Sequence, residues 1–252
     1  MRIGVFDSGI GGLTVLAEAR EQLPGAEFLY FADTASVPYG NKPKDRVRAC
    51  IFAGVEVLAH EGIEALVVAC NTATSVAIED LRRVYSMPVI GMEPAVKPAL
   101  ELARQAGGRV LVLATDMTLR EEKFHRLVDR IDPDDRVDRL SLQGLVALAE
   151  AEQFDPAVID PFLAAATAGL DLRTYSAVVL GCTHFPYYRS HLVRLFPPGT
   201  VLVEGHRGTI NNLRARIGSL PAGPGGASFF ESGPGGPKER FQRFLDRCRA
   251  GA

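Results

Sequence analysis

Short apolar segments alternate with segments of helical periodicity along almost the whole chain, and this alternation limits the fold more than any other feature. The apolar segments predict strands at residues 3–7, 28–32, 65–70, 88–91, 109–114, 137–141, 177–182 and 200–203. The spacing elsewhere predicts helices at residues 13–23, 44–61, 72–85, 96–106, 119–131, 155–170, 186–196 and 238–249. Strands that are apolar throughout are typical of parallel sheets buried on both faces. We therefore predict an α/β fold in which helices cover both faces of parallel sheets.

Residues 219–236 interrupt this alternation. They are rich in Gly and Pro, with a short apolar run at residues 227–230. We predict a surface excursion here. The helix predicted after it should turn Phe241 and Phe244 inward.

The composition excludes several classes of protein. The 252 residues include 28 basic and 30 acidic side chains, and the formal net charge of −2 argues against a broad nucleic-acid surface. No apolar stretch reaches the roughly 18 residues that a membrane span needs. Asp7 leaves no room for the apolar part of an N-terminal signal peptide. We therefore expect a cytoplasmic protein without nucleic-acid or membrane partners, whose cysteines are reduced.

The four cysteines fall into two classes. Cys50 and Cys248 lie within predicted helices, and no C-x-x-C pair indicates a metal or redox site. Cys70 and Cys182 are different, because each ends an apolar strand and precedes a polar sequence that opens a helix. A buried structural thiol is the common alternative for such a position.

The neighbours of the two strand-end thiols favour chemistry over a structural role. Cys70 is followed by the polar Asn71 and Thr72, and a helix N-terminus beside a thiol can lower its pKa. Cys182 is followed, after one residue, by the imidazole of His184. The sequence therefore predicts a thiol/imidazole site.

A long-range repeat relates these two thiols. Residues 65–72 read ALVVACNT and residues 177–184 read AVVLGCTH. The repeat indicates two similar α/β halves, each with a cysteine at the carboxyl end of a strand, where ligands bind in open α/β sheets. Two equivalent thiols suit a reaction that needs an acid and a base on opposite faces of one carbon.

The loop after the first strand reads DSGIGG at residues 7–12. Its glycines let backbone N–H groups approach an anion. A dinucleotide fingerprint would need Gly where Thr14 stands, and no P-loop Gly-Lys-Ser/Thr is present. This excludes a generic Rossmann-type dehydrogenase. We interpret the loop as a tight strand–helix turn that could hold a carboxylate.

Five ordered motifs resemble those of the cofactor-independent glutamate racemases of the aspartate/glutamate racemase superfamily. They are DSGIGG at residues 7–12, PYG at 38–40, ACNTA at 69–73, GMEPAVKPA at 91–99 and LGCTHFP at 180–186. The resemblance implies interconversion of L- and D-glutamate without a metal or other cofactor, supplying D-glutamate for peptidoglycan. It also implies two pseudo-symmetric parallel-sheet α/β domains that face each other across a central active site. The first would be residues 1–95 plus 208–252, and the second residues 96–207.

The resemblance also implies roles for individual residues. Cys70 would act on D-glutamate and Cys182 on L-glutamate, with Asp7, Glu150 and His184 supporting proton transfer. The residues implied to bind glutamate are Asp7, Ser8, Tyr39, Gly40, Asn71, Thr72, Thr118, Thr183 and His184. Members of this family often form dimers, so the resemblance allows a second copy of this chain as a partner in a homodimer.

Some positions depart from the family pattern. Leu142 and Gln143 stand where the family usually has Cys-Pro, Glu121 where it has Ser, and Glu204-Gly205 where it tends to have Asp-Ser. These departures leave the substrate preference open. One alternative is a racemase or related enzyme of the same superfamily, such as a decarboxylase, acting on aspartate or another small acid. Another is an inactive paralogue that binds a ligand or partner, although retention of both thiols argues against it.

Overall fold

The strands of the described chain form two parallel sheets, as predicted. The structure is a computed structural model and describes residues 1–218, 220, 223–233 and 239–249. The strands are β1 (Arg2–Asp7), β2 (Glu27–Ala32), β3 (Ala65–Val68), β4 (Val89–Gly91), β5 (Arg109–Ala114), β6 (Val137–Ser141), β7 (Tyr175–Leu180), β8 (Val201–Glu204) and β9 (Gly226–Glu231). The first sheet has the order β4-β3-β1-β2-β9 and the second β6-β5-β7-β8, with all pairings parallel. The predicted α/β fold class is confirmed.

The helices follow the predicted pattern with a few differences. They are α1 (Leu13–Gln22), α2 (Lys44–His60), α3 (Asn71–Val84), α4 (Val96–Ala106), α5 (Asp116–Arg120), α6 (Glu122–Ile131), α7 (Gln143–Glu150), α8 (Pro156–Thr167), α9 (Arg189–Leu195), α10 (His206–Ile217) and α11 (Glu239–Arg249). The single helix predicted over residues 119–131 is two helices, because the backbone of Glu121 is extended, with ψ 134°. The sequence analysis missed α7, which is too short at eight residues for a clear period, and the largely polar α10. Within the described ranges, no helix is both long and apolar enough to cross a membrane.

The predicted surface excursion at residues 219–236 is wrong for its central part. Residues Gly226–Glu231 form strand β9, which pairs with β2 at the edge of the first sheet. The reason is aromatic packing, because the Phe229 ring stacks on Phe241 at 5.4 Å and meets Tyr30 edge-on at 6.3 Å. Residues 219, 221–222 and 234–236 of the predicted excursion lie outside the described residues.

One cluster of buried apolar side chains runs through both sheets and the last helix. It includes Val5 of β1, Leu111 of β5, and Phe241 and Phe244 of α11. The inward orientation predicted for the two phenylalanines is confirmed, since they are 2% and 3% exposed. Burial of a side chain of this size contributes about 1.5–3 kcal/mol. Helix α11 is therefore held firmly against the core.

The sheets draw on different parts of the chain. The first sheet takes its strands from residues 2–91 and 226–231, and the second from residues 109–204. The two halves expected from the repeat around Cys70 and Cys182 correspond to these two sheets. The domain limits at residues 95/96 and 207/208 stay a prediction.

Candidate active site

Central strands of both sheets deliver their carboxyl ends to one small cavity. Cys70 follows β3 in the first sheet and Cys182 follows β7 in the second, so each sheet contributes one thiol to the wall. The residues that line it are Ser8, Pro38, Tyr39, Gly40, Cys70, Asn71, Thr72, Thr115, Gln143, Val146, Cys182, Thr183 and His184.

Cys70 is the N-cap residue of helix α3. Its Sγ accepts a hydrogen bond from the Ala73 N–H at 3.4 Å and lies 3.6 Å from Ser8 Oγ. Burial raises the pKa of the Cys70 thiol to about 12, and the nearby charge of Asp7 adds to this effect. The expectation that the helix N-terminus lowers this pKa is wrong in its net effect, because desolvation outweighs the single N–H donor. At neutral pH Cys70 is therefore a protonated thiol.

Cys182 lies beside an imidazole that a carboxylate holds in place. His184 Nδ1 is 3.8 Å from Cys182 Sγ, and His184 Nε2 is 2.8 Å from Glu150 Oε1. Burial lowers the pKa of His184, but its hydrogen bonds to Cys182 and Glu150 outweigh burial and raise the pKa well above its usual value. A protonated imidazole donates from both nitrogens. One ring thus connects the carboxylate of Glu150 to the sulfur of Cys182.

Glu150 lies behind the cavity wall, at the last residue of α7. Its Oε1 also accepts the Ile10 N–H at 2.8 Å, and its Oε2 accepts Arg240 Nη2 at 3.1 Å. Burial opposes ionisation of Glu150, yet His184, Ile10 and Arg240 together hold its pKa below the usual value. Glu150 is therefore a carboxylate at neutral pH. The sequence analysis missed Arg240, because nothing in the local sequence of α11 relates it to a residue 90 positions earlier.

Asp7 joins the end of β1 to the turn that carries Cys182. The Asp7 side chain is fully buried, and its Oδ1 accepts the Gly9 N–H at 3.0 Å while its Oδ2 accepts the Thr183 hydroxyl at 3.1 Å. Burial raises the pKa of Asp7 to about 6, although His184 and these hydrogen bonds oppose the shift. Asp7 is mostly ionised at pH 7 and anchors the Thr183 side chain from the opposite sheet.

The glycines of the first loop make room for the protein's own carboxylate and imidazole. A Cβ added at Gly9 would overlap Glu150 Oε1, and one at Gly11 would overlap His184 Nδ1. The Ile10 N–H of the same loop donates to Glu150. The predicted tight strand–helix turn is confirmed. The carboxylates that its N–H groups hold belong to the chain itself.

Hydroxyl and amide groups cover another side of the cavity. Thr72 Oγ1 lies 2.8 Å from Thr115 Oγ1 and 3.2 Å from Thr118 Oγ1. Asn71 Nδ2 donates to the Met92 carbonyl at 3.4 Å, whereas the buried Asn71 Oδ1 has no hydrogen-bond partner within the described chain. These groups form a polar wall that can hydrogen-bond a carboxylate.

The structure divides the residues that the resemblance implicated. Ser8, Tyr39, Gly40, Cys70, Asn71, Thr72, Cys182, Thr183 and His184 line the cavity. Asp7, Thr118 and Glu150 lie behind the wall and hydrogen-bond to residues that line it. The sequence analysis missed four lining residues, which are Pro38, Thr115, Gln143 and Val146. Thr115 could have been found, because it follows β5 directly and caps α5.

Of the positions that depart from the family pattern, Gln143 alone lines the cavity. Leu142 is buried in the apolar core. Glu121 pairs with a lysine of α2 at 2.6 Å, and Glu204 pairs with Arg189 at 2.8 Å. The departures therefore bear on the substrate pocket through one side chain.

Cys50 and Cys248 do not line this cavity. Cys50 Sγ is 3.4 Å from Ser36 Oγ, and Cys248 Sγ is 4.0 Å from the Tyr187 hydroxyl. All four cysteines are free thiols. In the part of the chain that the structure covers, no cluster of three or more His, Cys, Asp or Glu side chains is arranged to bind a metal.

Curated proteins of similar sequence include several that are named glutamate racemase. The family model of the Asp/Glu/Hydantoin racemases matches residues 13–206. The chain is 49% identical over 253 residues to the glutamate racemase of Halothermothrix orenii, with 98% of each chain covered. It is also 49% identical to glutamate racemase 2 of Bacillus subtilis, over 92% of this chain and 89% of that protein.

Solved structures give the same result. The Escherichia coli glutamate racemase, in complex with L-glutamate and the activator UDP-MurNAc-ala, superposes with a TM-score of 0.85 at 30% identity, over 98% of this chain and 94% of that one. The glutamate racemase of Thermus thermophilus, in complex with beta-chloro-D-alanine, has a TM-score of 0.76 at 34% identity, over 98% and 92%. The chain therefore belongs to the Asp/Glu/hydantoin racemase family and is an isomerase of the amino-acid racemase class.

Proposed function

We propose that the chain interconverts L- and D-glutamate by two-base proton transfer, with Cys182 facing the α-proton of L-glutamate and Cys70 that of D-glutamate. The observation that carries this proposal is one cavity with two buried thiols, one from each sheet. A racemase must remove a proton from one face of Cα and return a proton to the other. Two thiols from opposite sheets suit this requirement.

In the direction from L- to D-glutamate, Cys182 begins as a thiolate and removes the α-proton. The electrons of the Cα–H bond pass into the α-carboxylate, which gains enolate character. Cys70 then gives its thiol proton to the opposite face of the same carbon. The products are D-glutamate, a Cys182 thiol and a Cys70 thiolate, and solvent exchange returns each sulfur to its starting form.

The charges around the two sulfurs support these starting forms. Burial and Asp7 keep Cys70 protonated, with its pKa raised to about 12. The protonated imidazole of His184 points a donor at Cys182 Sγ, and a neighbouring cation stabilises a thiolate. This arrangement favours removal of the α-proton of L-glutamate by Cys182.

The polar wall would stabilise the developing enolate. The Asn71 amide, which has a second hydrogen besides the one given to Met92, and the Thr72 hydroxyl can donate within the buried cavity. Hydrogen bonds aimed at a developing charge in a water-excluded site commonly contribute several kcal/mol to catalysis. No cofactor enters this scheme, because the thiols transfer the protons and hydrogen bonds from the polar wall stabilise the negative charge of the enolate.

Glutamate is the substrate that the relatives support. The curated relatives are named glutamate racemase, and the Escherichia coli structure is described as a complex with L-glutamate. Aspartate is the alternative to compare with it. We also propose that the D-glutamate supplies peptidoglycan synthesis in the cytoplasm, a compartment that keeps the four free thiols reduced.

In heavy water, the D-glutamate first formed from L-glutamate should carry deuterium at Cα, while the remaining L-glutamate keeps protium. The reason is that Cys182 removes the original proton and a different, solvent-equilibrated thiol delivers the new one. Proton NMR of early samples, with the enantiomers separated, measures both labels. Parallel incubations with L-glutamate and L-aspartate, followed by optical rotation, establish the substrate.

Early and equal deuterium in both enantiomers would contradict separate bases, because a single base exchanges its proton with both faces. Retention of the original protium in the product would contradict them as well. A chain that racemises aspartate but not glutamate would overturn the substrate assignment alone.

Gln143 should contribute to substrate binding. The buried Oε1 and Nε2 atoms of its amide have no hydrogen-bond partner in the described structure, and a Cβ on the adjacent Gly40 would overlap Oε1. Buried amides are normally paired, and a substrate carboxylate in this cavity would accept from Nε2. Gln143→Met should raise KM about tenfold and change kcat less than threefold. Steady-state kinetics measure this, with the exposed Gln105→Met as control; an unchanged KM would contradict the contact.

A further inference from the structure

The C-terminal helix reaches the back of the candidate active site through one side chain. Arg240 of α11 donates from Nη2 to the backbone carbonyl of Glu150 at 2.6 Å and to the Glu150 Oε2 at 3.1 Å. Its Nε lies 3.4 Å from Glu152 Oε1, and its guanidinium lies 6.0 Å from the centre of the Phe244 ring. The Arg240 side chain is only 21% exposed, so these contacts hold it in one orientation.

Arg240 is the outer member of a row of alternating charges that ends at a catalytic sulfur. Glu150 is 12% exposed and His184 is 1% exposed. The row runs from Arg240 to Glu150 at 3.1 Å, from Glu150 to His184 at 2.8 Å, and from His184 to Cys182 at 3.8 Å. Only His184 and Cys182 line the cavity. Arg240 therefore does not contact a substrate bound in the cavity.

Glu150 needs such a partner because of its place in the fold. It is the last residue of α7, where the helix macrodipole disfavours a negative side chain and the final carbonyl groups lack intrahelical donors. The guanidinium of Arg240 satisfies both, since one nitrogen meets the carboxylate and the carbonyl together. Without Arg240, the Glu150 carboxylate would be held only through Oε1, by His184 and the Ile10 N–H, and Oε2 would lose this donor.

We propose that Arg240 is a positioning residue for proton transfer at Cys182, acting by fixing the Glu150 carboxylate that aims the His184 imidazole at the sulfur. This inference rests on the proposed two-cysteine racemisation. It assigns to the last helix a part in one of the two proton transfers, the one between Cys182 and the α-carbon of L-glutamate. Cys70 contacts Ser8 and Ala73 instead. We therefore expect a change at Arg240 to leave the proton transfer at Cys70 unchanged.

The role of Arg240 has a consequence for the pH dependence of the reaction. Arg240 contributes to the lowered pKa of Glu150. Without it that pKa rises, so the carboxylate is lost at a higher pH as the solution is acidified, and the part of the acid limb that Glu150 sets, below the part set by Asp7, moves upward. The titratable and charged groups that face Glu150 are His184, Arg240, Asp7, Tyr30, Tyr187 and Tyr188. The pKa values of the three tyrosines are raised by burial, which keeps them neutral over this range.

The test compares Arg240→Gln, Arg240→Lys and the matched control Arg243→Gln in the full-length protein. Arg243 lies one turn along α11 and pairs with Glu152 at 3.2 Å, away from His184. We expect Arg240→Gln to lower kcat/KM about tenfold and to raise the pH of the acid limb. Arg240→Lys should recover activity to within about threefold of wild type, and Arg243→Gln should stay within about twofold.

Isotope effects separate positioning from a merely structural role. When the Cys182 step becomes slower, the α-deuterium effect on kcat/KM should rise with L-[2-²H]glutamate and fall with D-[2-²H]glutamate. Isotope effects are ratios, so partial unfolding of a variant does not change them. Lowered activity with unchanged isotope effects and an unchanged pH profile would overturn the proposal, as would an unaffected Arg240→Gln. A wild-type chain without racemase activity would instead overturn the proposed function.

Discussion

Cys70→Ser and Cys182→Ser should each lower kcat for glutamate racemisation by at least about 10³-fold, with the fold intact. A serine hydroxyl is a far weaker acid than a thiol, so at neutral pH it supplies neither the alkoxide base nor a comparable acid. Both side chains lie in the same cavity, one from each sheet. Circular dichroism of the reaction mixture measures racemisation, and the far-ultraviolet spectrum of each variant checks the fold.

The other two cysteines provide matched controls. Cys50→Ser and Cys248→Ser should keep activity within about twofold of wild type, because neither thiol lines the cavity. Cys248 is partly buried against Tyr187, so its variant also tests whether a partly buried thiol outside the cavity matters. A loss in Cys50→Ser equal to that in Cys70→Ser, with an intact fold, would contradict the division of the cysteines.

His184→Gln should lower kcat about 100-fold, with a smaller change in KM. The substitution replaces a protonated ring, which bridges Glu150 and Cys182, with a neutral amide that cannot support a thiolate in the same way. Loss of one preorganised donor at a reacting charge commonly costs 10²–10³ in rate. Steady-state kinetics in both directions measure the effect.

His191→Gln is the matched control for this prediction. His191 is also buried and also meets a carboxylate, with Nδ1 2.6 Å from Asp160 Oδ1. It lies in α9, outside the cavity wall. We expect its activity to remain within about twofold of wild type. Equal, small losses in both variants would mean that His184 takes no part in proton transfer at Cys182.

The loss of racemase activity at low pH should follow the protonation of the carboxyl groups of Asp7 and Glu150, which lie behind the cavity wall. The pKa of Asp7 is raised to about 6 by burial, so its carboxylate is protonated as the pH falls through that value. Protonation would weaken its hydrogen bond from Thr183 beside Cys182. The pKa of Glu150 is held low by His184, Ile10 and Arg240 against the effect of burial, and its carboxylate should persist to lower pH.

The sequence alone determined strands β1 to β8 and the two thiols that follow β3 and β7. Uninterrupted apolar segments such as residues 110–114 predict buried parallel strands because their signal is local and continuous. Cys70 and Cys182 were found in the same way, since each sits where an apolar strand passes into a polar turn. These features depend on neighbours in sequence, which the chain carries wherever it folds.

Strand β9 and the charged row behind Cys182 were decided only by the tertiary structure. Phe229 belongs to a strand because Tyr30 and Phe241, both remote in sequence, pack against it. Arg240 meets Glu150 because α11 returns to the core formed by the earlier strands.

The tertiary structure also decided the protonation state of Cys70. Its sequence position at a helix N-terminus predicts a lowered pKa, but the folded protein removes water from the thiol and brings Asp7 near it, which raises the pKa. Desolvation and charge depend on what surrounds a group in three dimensions. The sequence therefore located the two thiols at the strand ends, and the packing of the two sheets decided that Cys70 stays protonated at neutral pH.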